Sequence, residues 1–413
     1  MITTSIFLII ILLTAGCGGK KQMEDGDIRV VNLTRAIRTP TQVSLSEIAD
    51  SISFIALETN NSSLLSDFLN FRFYQDYIFS NNYCFDWTGK FIGELGQRGN
   101  GPCEDPASRI SKAIYKNEHF YTVATKIIEY DRLMQCTNKE LILYRLQNDG
   151  RPVEGSTYTN FVSVANAKEN IIVYNYPDSV YFIDVNFNFI SSQQVIFPVL
   201  SSFVNPLGGQ YSKFMTDYGD TTLFYNFFND TVYYANNNHL SPAWIIDLSD
   251  EMRVPADLLY RWEELNHGAF TAWENGNINN SELIRLTDHK TMVMSVYETS
   301  GYLFLIWIEM IQYAPLRNNK TPAIPQIAFF DKQTGKTTSV KGNGFVDDIF
   351  GMDSYLPLWG ACNNMLIKSV WPWELQELVD NNNKLRENKQ LMDVLSRTKP
   401  EDNPILIVAH LKQ

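Results

Sequence analysis

The chain has 413 residues, of which 45% are hydrophobic and 19% are charged, a composition typical of a folded protein with a large core rather than of a disordered chain. Its formal net charge is −12, and no stretch of the sequence is rich in Lys and Arg. Because proteins that bind nucleic acid present basic surfaces to the phosphates, the charge argues against a nucleic-acid partner. No Pro-, Ser- or Gly-rich linker divides the chain, so we expect one large domain.

The first 16 residues are predicted to be a signal peptide. Residues 6–13 form the apolar run IFLIIILL, which is shorter than the roughly 20 residues that a mature membrane-spanning helix needs. The following TAGC resembles a bacterial lipoprotein signal, and the resemblance implies cleavage before Cys17 and lipidation of that residue. A secretory signal with an incidental cysteine is the alternative. Residues 17–43 are predicted to be a tether between a membrane and the folded body, 44–413.

Strand-like hairpins rich in Ile, Val, Tyr and Phe recur along the rest of the chain. In four of them the second strand ends in an aromatic or aliphatic residue, then Asp, then a turn. Successive aspartates of this kind are 45 and 53 residues apart, which is roughly the length of a four-stranded propeller blade. The hairpins lie at 74–95, 119–136, 170–194 and 221–238, and, with their two strands separated, at 302–310 with 327–340 and 364–370 with 404–412.

The spacing predicts an all-β fold, a six-bladed β-propeller of four-stranded blades, with a pair of stacked β-sandwiches as the alternative. The interval from Tyr234 to Asp331 is 97 residues, and we assign it to one blade with an insertion at 249–288 because 251–275 has a helical periodicity. The last blade lacks a fourth strand. We therefore expect the strand at 51–58 to close the ring as the outer strand of blade six.

In each blade we name the strands a to d from the centre outwards. The b–c loops and the d-to-a connections then emerge on one face of the propeller, here called the loop face, and the a–b and c–d turns emerge on the other, the turn face. Insertions at 249–288, 311–326 and 371–403 and the loop 96–105 all fall on the loop face, whereas the chain enters strand 51–58 from the turn face. We predict that the loop face points away from the membrane and is the working face.

Three segments that bracket the mature chain, 44–65, 85–105 and 401–412, resemble the six-bladed β-propeller lipoproteins of Bacteroidetes, which are similar in shape to NHL-repeat and TolB-like propellers. In the loop, Cys103 stands where that family has a glycine and Asp105 where it has an aromatic residue. The resemblance implies a propeller in the bacterial cell envelope, held as an outer-membrane lipoprotein that faces the periplasm or the cell surface. Most members of this family have no assigned activity.

No catalytic or metal-binding motif is present: the sequence lacks G-x-S-x-G, H-E-x-x-H, EF-hand and Walker A patterns, and its five histidines show no metal spacing. We therefore assign no catalytic residue, metal ligand or cofactor, and a calcium or other divalent ion in the channel stays open. The glycines of 96–105 follow one strand and precede another, whereas a phosphate-binding loop precedes a helix. We predict turns there, with Arg98 and Glu104 as candidates for ligand contact.

Tryptophans are concentrated in and beside the three insertions. Exposed indoles can stack on sugar rings, so several on one face would form a platform for a glycan or a protein. The alternative for 371–395 is an amphipathic helix that starts with a proline and packs its tryptophans against the propeller. The candidate ligand contacts are Trp262, Trp273, Trp307, Trp371 and Trp373.

Four cysteines remain after Cys17, namely Cys84, Cys103, Cys136 and Cys362. They include no C-x-x-C pair, and because a core of this size needs no disulfide we expect free buried thiols.

We predict a membrane-anchored, non-catalytic binding or scaffold protein whose partner is a glycan, a peptide or an envelope protein. The alternative is a hydrolase, lactonase-like or sugar-cleaving, with its site at the central channel.

Overall fold

In the computed structural model the described residues are 28–66, 69–74, 76–105, 112–123, 126–142, 162–175, 179–194, 215–226, 229–255, 258, 261, 264–265, 282–309, 325–357 and 360–412. They begin with two strands and two short helices that precede the first blade. These elements are β1 (Arg29–Val31), α1 (Leu33–Arg38), α2 (Leu45–Ile48) and β2 (Ala49–Ala56).

The first three blades are antiparallel sheets of four strands, each rich in the β-branched and aromatic residues that favour strands. In each blade the first strand lies nearest the centre. The strands are β3 (Phe71–Phe73), β4 (Ile78–Ser80), β5 (Tyr83–Phe85) and β6 (Phe91–Glu94); β7 (Lys112–Lys116), β8 (His119–Val123), β9 (Lys126–Tyr130) and β10 (Cys136–Ile142); and β11 (Val162–Ala167), β12 (Asn170–Asn175), β13 (Ser179–Ile183) and β14 (Phe189–Gln194).

The last three blades carry the helices of the body. The elements are β15 (Met215–Tyr218), β16 (Thr221–Tyr225), β17 (Thr231–Ala235) and β18 (Leu240–Ile246), followed by α3 (Glu282–Thr287); β19 (Thr291–Glu298), β20 (Tyr302–Glu309), β21 (Gln326–Asp331) and β22 (Lys336–Ser339); and β23 (Gly360–Cys362), β24 (Met365–Val370), α4 (Pro372–Asn381), α5 (Asn383–Arg386), α6 (Lys389–Ser396) and β25 (Ile405–Leu411). The six sheets confirm the predicted all-β six-bladed propeller.

The recurring aspartate has a local structural reason. At the c–d turn of blade one, Asp86 Oδ1 accepts hydrogen bonds from the backbone N–H groups of Thr88 (2.8 Å) and Lys90 (3.0 Å), which reinforces the backbone hydrogen bonds of the turn. Asp131, Asp184 and Asp331 make the same type of bond in blades two, three and five. Partial burial raises the pKa of Asp86, but these hydrogen bonds outweigh it, so the pKa is lowered overall.

The ring is closed as predicted from the sequence. Strand β2 pairs antiparallel with β25, from Ala49 opposite Leu411 to Ala56 opposite Ile405, and is the outer strand of blade six. Fully buried Asn403 fixes the junction, since its Nδ2 donates to the carbonyls of Glu58 (2.8 Å) and Ser63 (2.7 Å). A strand from the start of the chain therefore covers the edge that the end of the chain would leave open.

The segment that precedes β2 is packed structure. Strand β1 lies parallel to β18 as a fifth strand of blade four, the Asn32 N–H donates to Thr337 of blade five (3.1 Å), and the Thr41 N–H donates to the Ser339 carbonyl (2.9 Å). Residues 28–56 thus cross the outer edges of blades four, five and six. The predicted tether, 17–43, is corrected for 28–43, because Val31 and Leu33 are fully buried against the blades.

The expectation of four free thiols is wrong for two of them. Cys103 and Cys136 form a disulfide with their Cα atoms 6.0 Å apart, whereas Cys84 and Cys362 are free and buried. The prediction of free thiols was based on the large size of the core. The disulfide instead links a surface loop, 96–105, to strand β10 of the neighbouring blade.

The insertion 371–403 is helical, as predicted, but it forms three short helices. Helix α4 ends at Asn381, and the Asn382 side chain then accepts from the N–H groups of Lys384 (3.0 Å) and Leu385 (3.4 Å), which caps the start of α5. The helical periodicity predicted at 251–275 falls mostly outside the described residues. None of the helices in the described part of the chain is long and apolar enough to cross a membrane.

Candidate functional site

A small cavity of about 20 Å³, with room for about one water molecule, opens on the loop face between blade four and the start of the insertion 249–288. The b–c turn of blade four supplies its polar side, and the connection after β18 supplies most of its apolar side. The lining residues are Tyr225, Asn229, Asp230, Ile246, Leu248, Arg253, Val254 and Thr291. Its enclosed volume is far below that of small-molecule pockets, although a few polar groups over an apolar floor are the usual composition of such sites.

An ion pair stands at the mouth of this cavity. Arg253 Nη1 lies 3.1 Å from Asp230 Oδ2, and Arg253 Nη2 donates to the Leu248 carbonyl (2.9 Å). Both side chains of the pair are partly exposed, so each keeps hydrogen-bonding capacity toward solvent or a ligand. No sequence pattern singles out these two residues, because they come from two segments that only the fold brings together.

Tyr225 forms part of the cavity wall and is held neutral. Burial raises the pKa of its hydroxyl strongly, the nearby Asp230 carboxylate raises it further, and Arg253 lowers it. The wall therefore presents a neutral phenol, and the charges of the cavity are those of Asp230 and Arg253.

The glycine-rich loop 96–105 is a crossing between two blades, as predicted, and the next described element after it is the strand β7. Glu104 Oε2 accepts from the Gly101 N–H (2.9 Å), and a Cβ at position 99 would clash with this carboxylate. Glu104 is thus engaged within the loop, while Arg98 is exposed. Lys126 further fastens the loop through the Gly101 carbonyl (3.2 Å) and Glu140 (2.8 Å).

The candidate tryptophans are not equivalent. Trp307 is buried within β20, and Trp371 is partly buried at the start of α4, where its backbone N–H donates to Glu374 Oε2 (3.1 Å). Trp373 is 52% exposed on α4. Cys17, Trp262 and Trp273 lie outside the described residues, so their predicted roles stay predictions.

The candidate residues are spread around the loop face. Arg98 and Glu104 follow blade one, and Trp371 and Trp373 lie in the insertion of blade six. No hydrogen bond or ion pair joins these two groups within the described part of the chain. Among the described residues there is also no cluster of three His, Cys, Asp or Glu side chains that could hold a metal ion.

Residues 28–410 match the family model described as a domain of unknown function, DUF4934. The chain is similar in structure to a Bacteroides fragilis protein that is described as exported, with 18% identity, a TM-score of 0.61, and coverage of 94% of this chain and 100% of that one. A weaker match is BamB from Moraxella catarrhalis, with 11% identity, a TM-score of 0.33, and coverage of 69% and 63% respectively. No curated protein matches the sequence. The likeness to the Bacteroides protein supports the fold alone.

Proposed function

The chain belongs to the DUF4934 family, a domain of unknown function, and we propose that it is a membrane-anchored binding or scaffold protein of the bacterial cell envelope that holds a glycan, a peptide or an envelope protein on its loop face. The observation that carries this proposal is the cavity beside Asp230 and Arg253. It is built by an insertion and a loop that the propeller does not need for closure, and it combines a charged mouth with an apolar floor.

Other features of the loop face support the same role. The insertion of blade six places the exposed Trp373 on a helix, and Leu378 and Met392 of the same insertion are also exposed. Exposed apolar side chains that are grouped on one surface often mark a binding site, whereas single scattered ones are common on protein surfaces. The loop 96–105, fastened by its disulfide, adds a rigid rim on the neighbouring blade.

Three observations support a location outside the cytoplasm. The apolar run at 6–13 is followed by Cys17, which suits a lipoprotein signal. The disulfide between Cys103 and Cys136 is of a kind that persists in oxidising compartments. The similar Bacteroides fragilis protein is itself described as exported. These observations support our proposal that the protein works at the envelope, with Cys17 as its lipid anchor.

A ligand screen tests the proposal. The soluble body without residues 1–25 is mixed with panels of oligosaccharides and peptides, and binding is detected as a rise in melting temperature. For each ligand found, Arg253→Met removes a charged hydrogen-bond donor at the cavity and is expected to weaken binding roughly tenfold or more. Arg132→Met is the matched control, because Arg132 is an exposed, ion-paired arginine on the turn face.

Equal binding by the Arg253 and Arg132 variants would contradict the assignment of the loop face, and the absence of any ligand in the panels would contradict the proposed class of partner. Cleavage of a glycoside or a lactone during the screen would instead favour the enzymatic alternative.

A further inference from the structure

A second polar cluster lies on the opposite side of the molecule, at the turn-face end of the central channel. Tyr74 follows the inner strand of blade one, Asn166 is near the end of the inner strand of blade three, and Asp217 is near the end of the inner strand of blade four. Arg72 precedes Tyr74 by two residues and therefore projects from the same side of β3. Inner strands converge on the axis of a propeller, so these side chains come from three blades to one place.

The backbone of Tyr115, in the inner strand of blade two, links the cluster. Asn166 Nδ2 donates to the Tyr115 carbonyl (3.2 Å), and the rings of Tyr74 and Tyr115 are 6.5 Å apart. Burial raises the pKa of Tyr74 strongly and the charge of Asp217 raises it further, while the Arg72 guanidinium and the Tyr115 backbone lower it. Asp217, Arg72 and the Tyr115 backbone are thus within electrostatic reach of the Tyr74 hydroxyl.

Several polar atoms of this cluster are buried without a partner. The Tyr74 side chain is 8% exposed and Asn166 is 9% exposed. Asn166 Oδ1 and Arg72 Nη1 have no hydrogen-bond partner among the residues that the structure describes, and the Tyr74 hydroxyl, whose oxygen faces the Arg72 guanidinium and the Tyr115 backbone, donates to none of them. Buried polar groups in folded proteins are nearly always paired, and each unpaired one is costly. The cluster therefore offers two donors and one acceptor to a molecule that enters the channel.

The charges of the cluster are of both signs. Arg72 supplies a positive charge, and Asp217, which accepts from Thr222 Oγ1 (3.3 Å), supplies a negative one. A dianion such as phosphate would be repelled by Asp217, and a simple cation would be repelled by Arg72. A molecule that carries both charges a short distance apart complements both signs of charge.

We propose that the turn-face end of the channel binds a small zwitterion of the class of free α-amino acids. Its carboxylate accepts hydrogen bonds from Arg72 Nη1 and the Tyr74 hydroxyl, and its ammonium donates to Asn166 Oδ1 and faces Asp217. The site lies on the face opposite the cavity beside Arg253, so it stands or falls independently of the function proposed for the loop face.

Calorimetry on the full-length protein in detergent tests this site with glycine, acetate and methylammonium as probes. Glycine carries both charges, and the other two carry one each. Glycine is expected to bind at least tenfold more tightly than either single-charge probe. Tyr74→Phe, which removes only the hydroxyl, is expected to weaken glycine roughly tenfold, and Arg72→Met is expected to abolish binding. Tyr77→Phe is the matched control, because Tyr77, like Tyr74, packs on the ring of Tyr115, with the two ring centroids 4.9 Å apart.

Tyr74→Phe keeps the ring and its packing, so it remains informative if Arg72→Met does not fold. The proposal is overturned if glycine gives no heat of binding to the folded protein, which is the result expected if water alone pairs these atoms. It is equally overturned if acetate binds as tightly as glycine, or if the Tyr74 and Tyr77 variants bind glycine alike.

Discussion

Replacing Glu298 by Gln is expected to destabilise the propeller strongly, because Glu298 neutralises a buried lysine between blades four and five. Its side chain is 1% exposed, and that of Lys332 is 12% exposed. Lys332 Nζ lies 2.6 Å from Glu298 Oε1, the Tyr234 hydroxyl donates to both carboxylate oxygens (2.9 and 3.0 Å), and Trp244 Nε1 donates to Oε2 (3.2 Å). Glutamine keeps the shape but removes the charge.

Removing one partner of a buried ion pair costs about 3–5 kcal/mol. We expect the lower end, about 3 kcal/mol, because Lys332 also donates to the Thr299 carbonyl (2.5 Å) and its ammonium lies over the Tyr218 ring (5.0 Å to the ring centroid). Urea unfolding followed by tryptophan fluorescence measures the change as a shift of the midpoint at constant slope. The control is Glu251→Gln, whose partner Arg38 is exposed, and it should cost less than about 1 kcal/mol.

The same variant has a predicted pH dependence. Burial lowers the pKa of Lys332, and Glu298 raises it part of the way back. Without Glu298 the folded state holds this proton less tightly than the unfolded state, so the variant gains stability as pH rises toward the ordinary pKa of lysine. The cost of Glu298→Gln should therefore shrink between pH 7 and pH 10. A cost equal to that of Glu251→Gln at pH 7 would refute the buried-pair account.

Three further changes test the fold and its anchor. Phe54→Ala removes a buried ring of the closing strand that lies 4.7 Å from the Phe350 ring, and should cost about 3–5 kcal/mol in urea unfolding. Cys103→Ser opens a disulfide across 33 residues and should lower stability by about 2–4 kcal/mol, with no further loss on adding reductant. Cys17→Ser should move the protein from the membrane fraction to the soluble fraction of cells, and retention of the variant in membranes would contradict lipidation at that residue.

The architecture could be predicted because its determinants are local and repeated. Alternating apolar residues define the hairpins, and the aspartate at the c–d turn of four blades, as at Asp86 and Asp184, marks the repeat because it bonds the turn itself. The closing strand β2 could be predicted because a blade with three strands leaves an open edge. The path of residues 28–43 could not be predicted, because β1 has only three residues and is stabilised by β18, which is far away in the sequence.

The candidate sites were harder to predict because they depend on distant segments. Asp230 and Arg253 face one cavity only because the connection after β18 folds back over blade four. Arg72 and Asn166 belong to blades one and three, and they lie at the same end of the channel only because the inner strands converge on the axis. The positions of the tryptophans predicted the ligand-contact surface only in part, because Trp307 is buried whereas Trp373 is exposed.

Photocrosslinking in cells tests most directly whether the loop face is the working face. A photoreactive residue is placed at Trp373, on the loop face, or at Leu133, which is 76% exposed in a c–d turn on the turn face. The account predicts a discrete covalent adduct with an envelope component at position 373 and none at position 133. An adduct at 133 alone, or equal adducts at both positions, would contradict it.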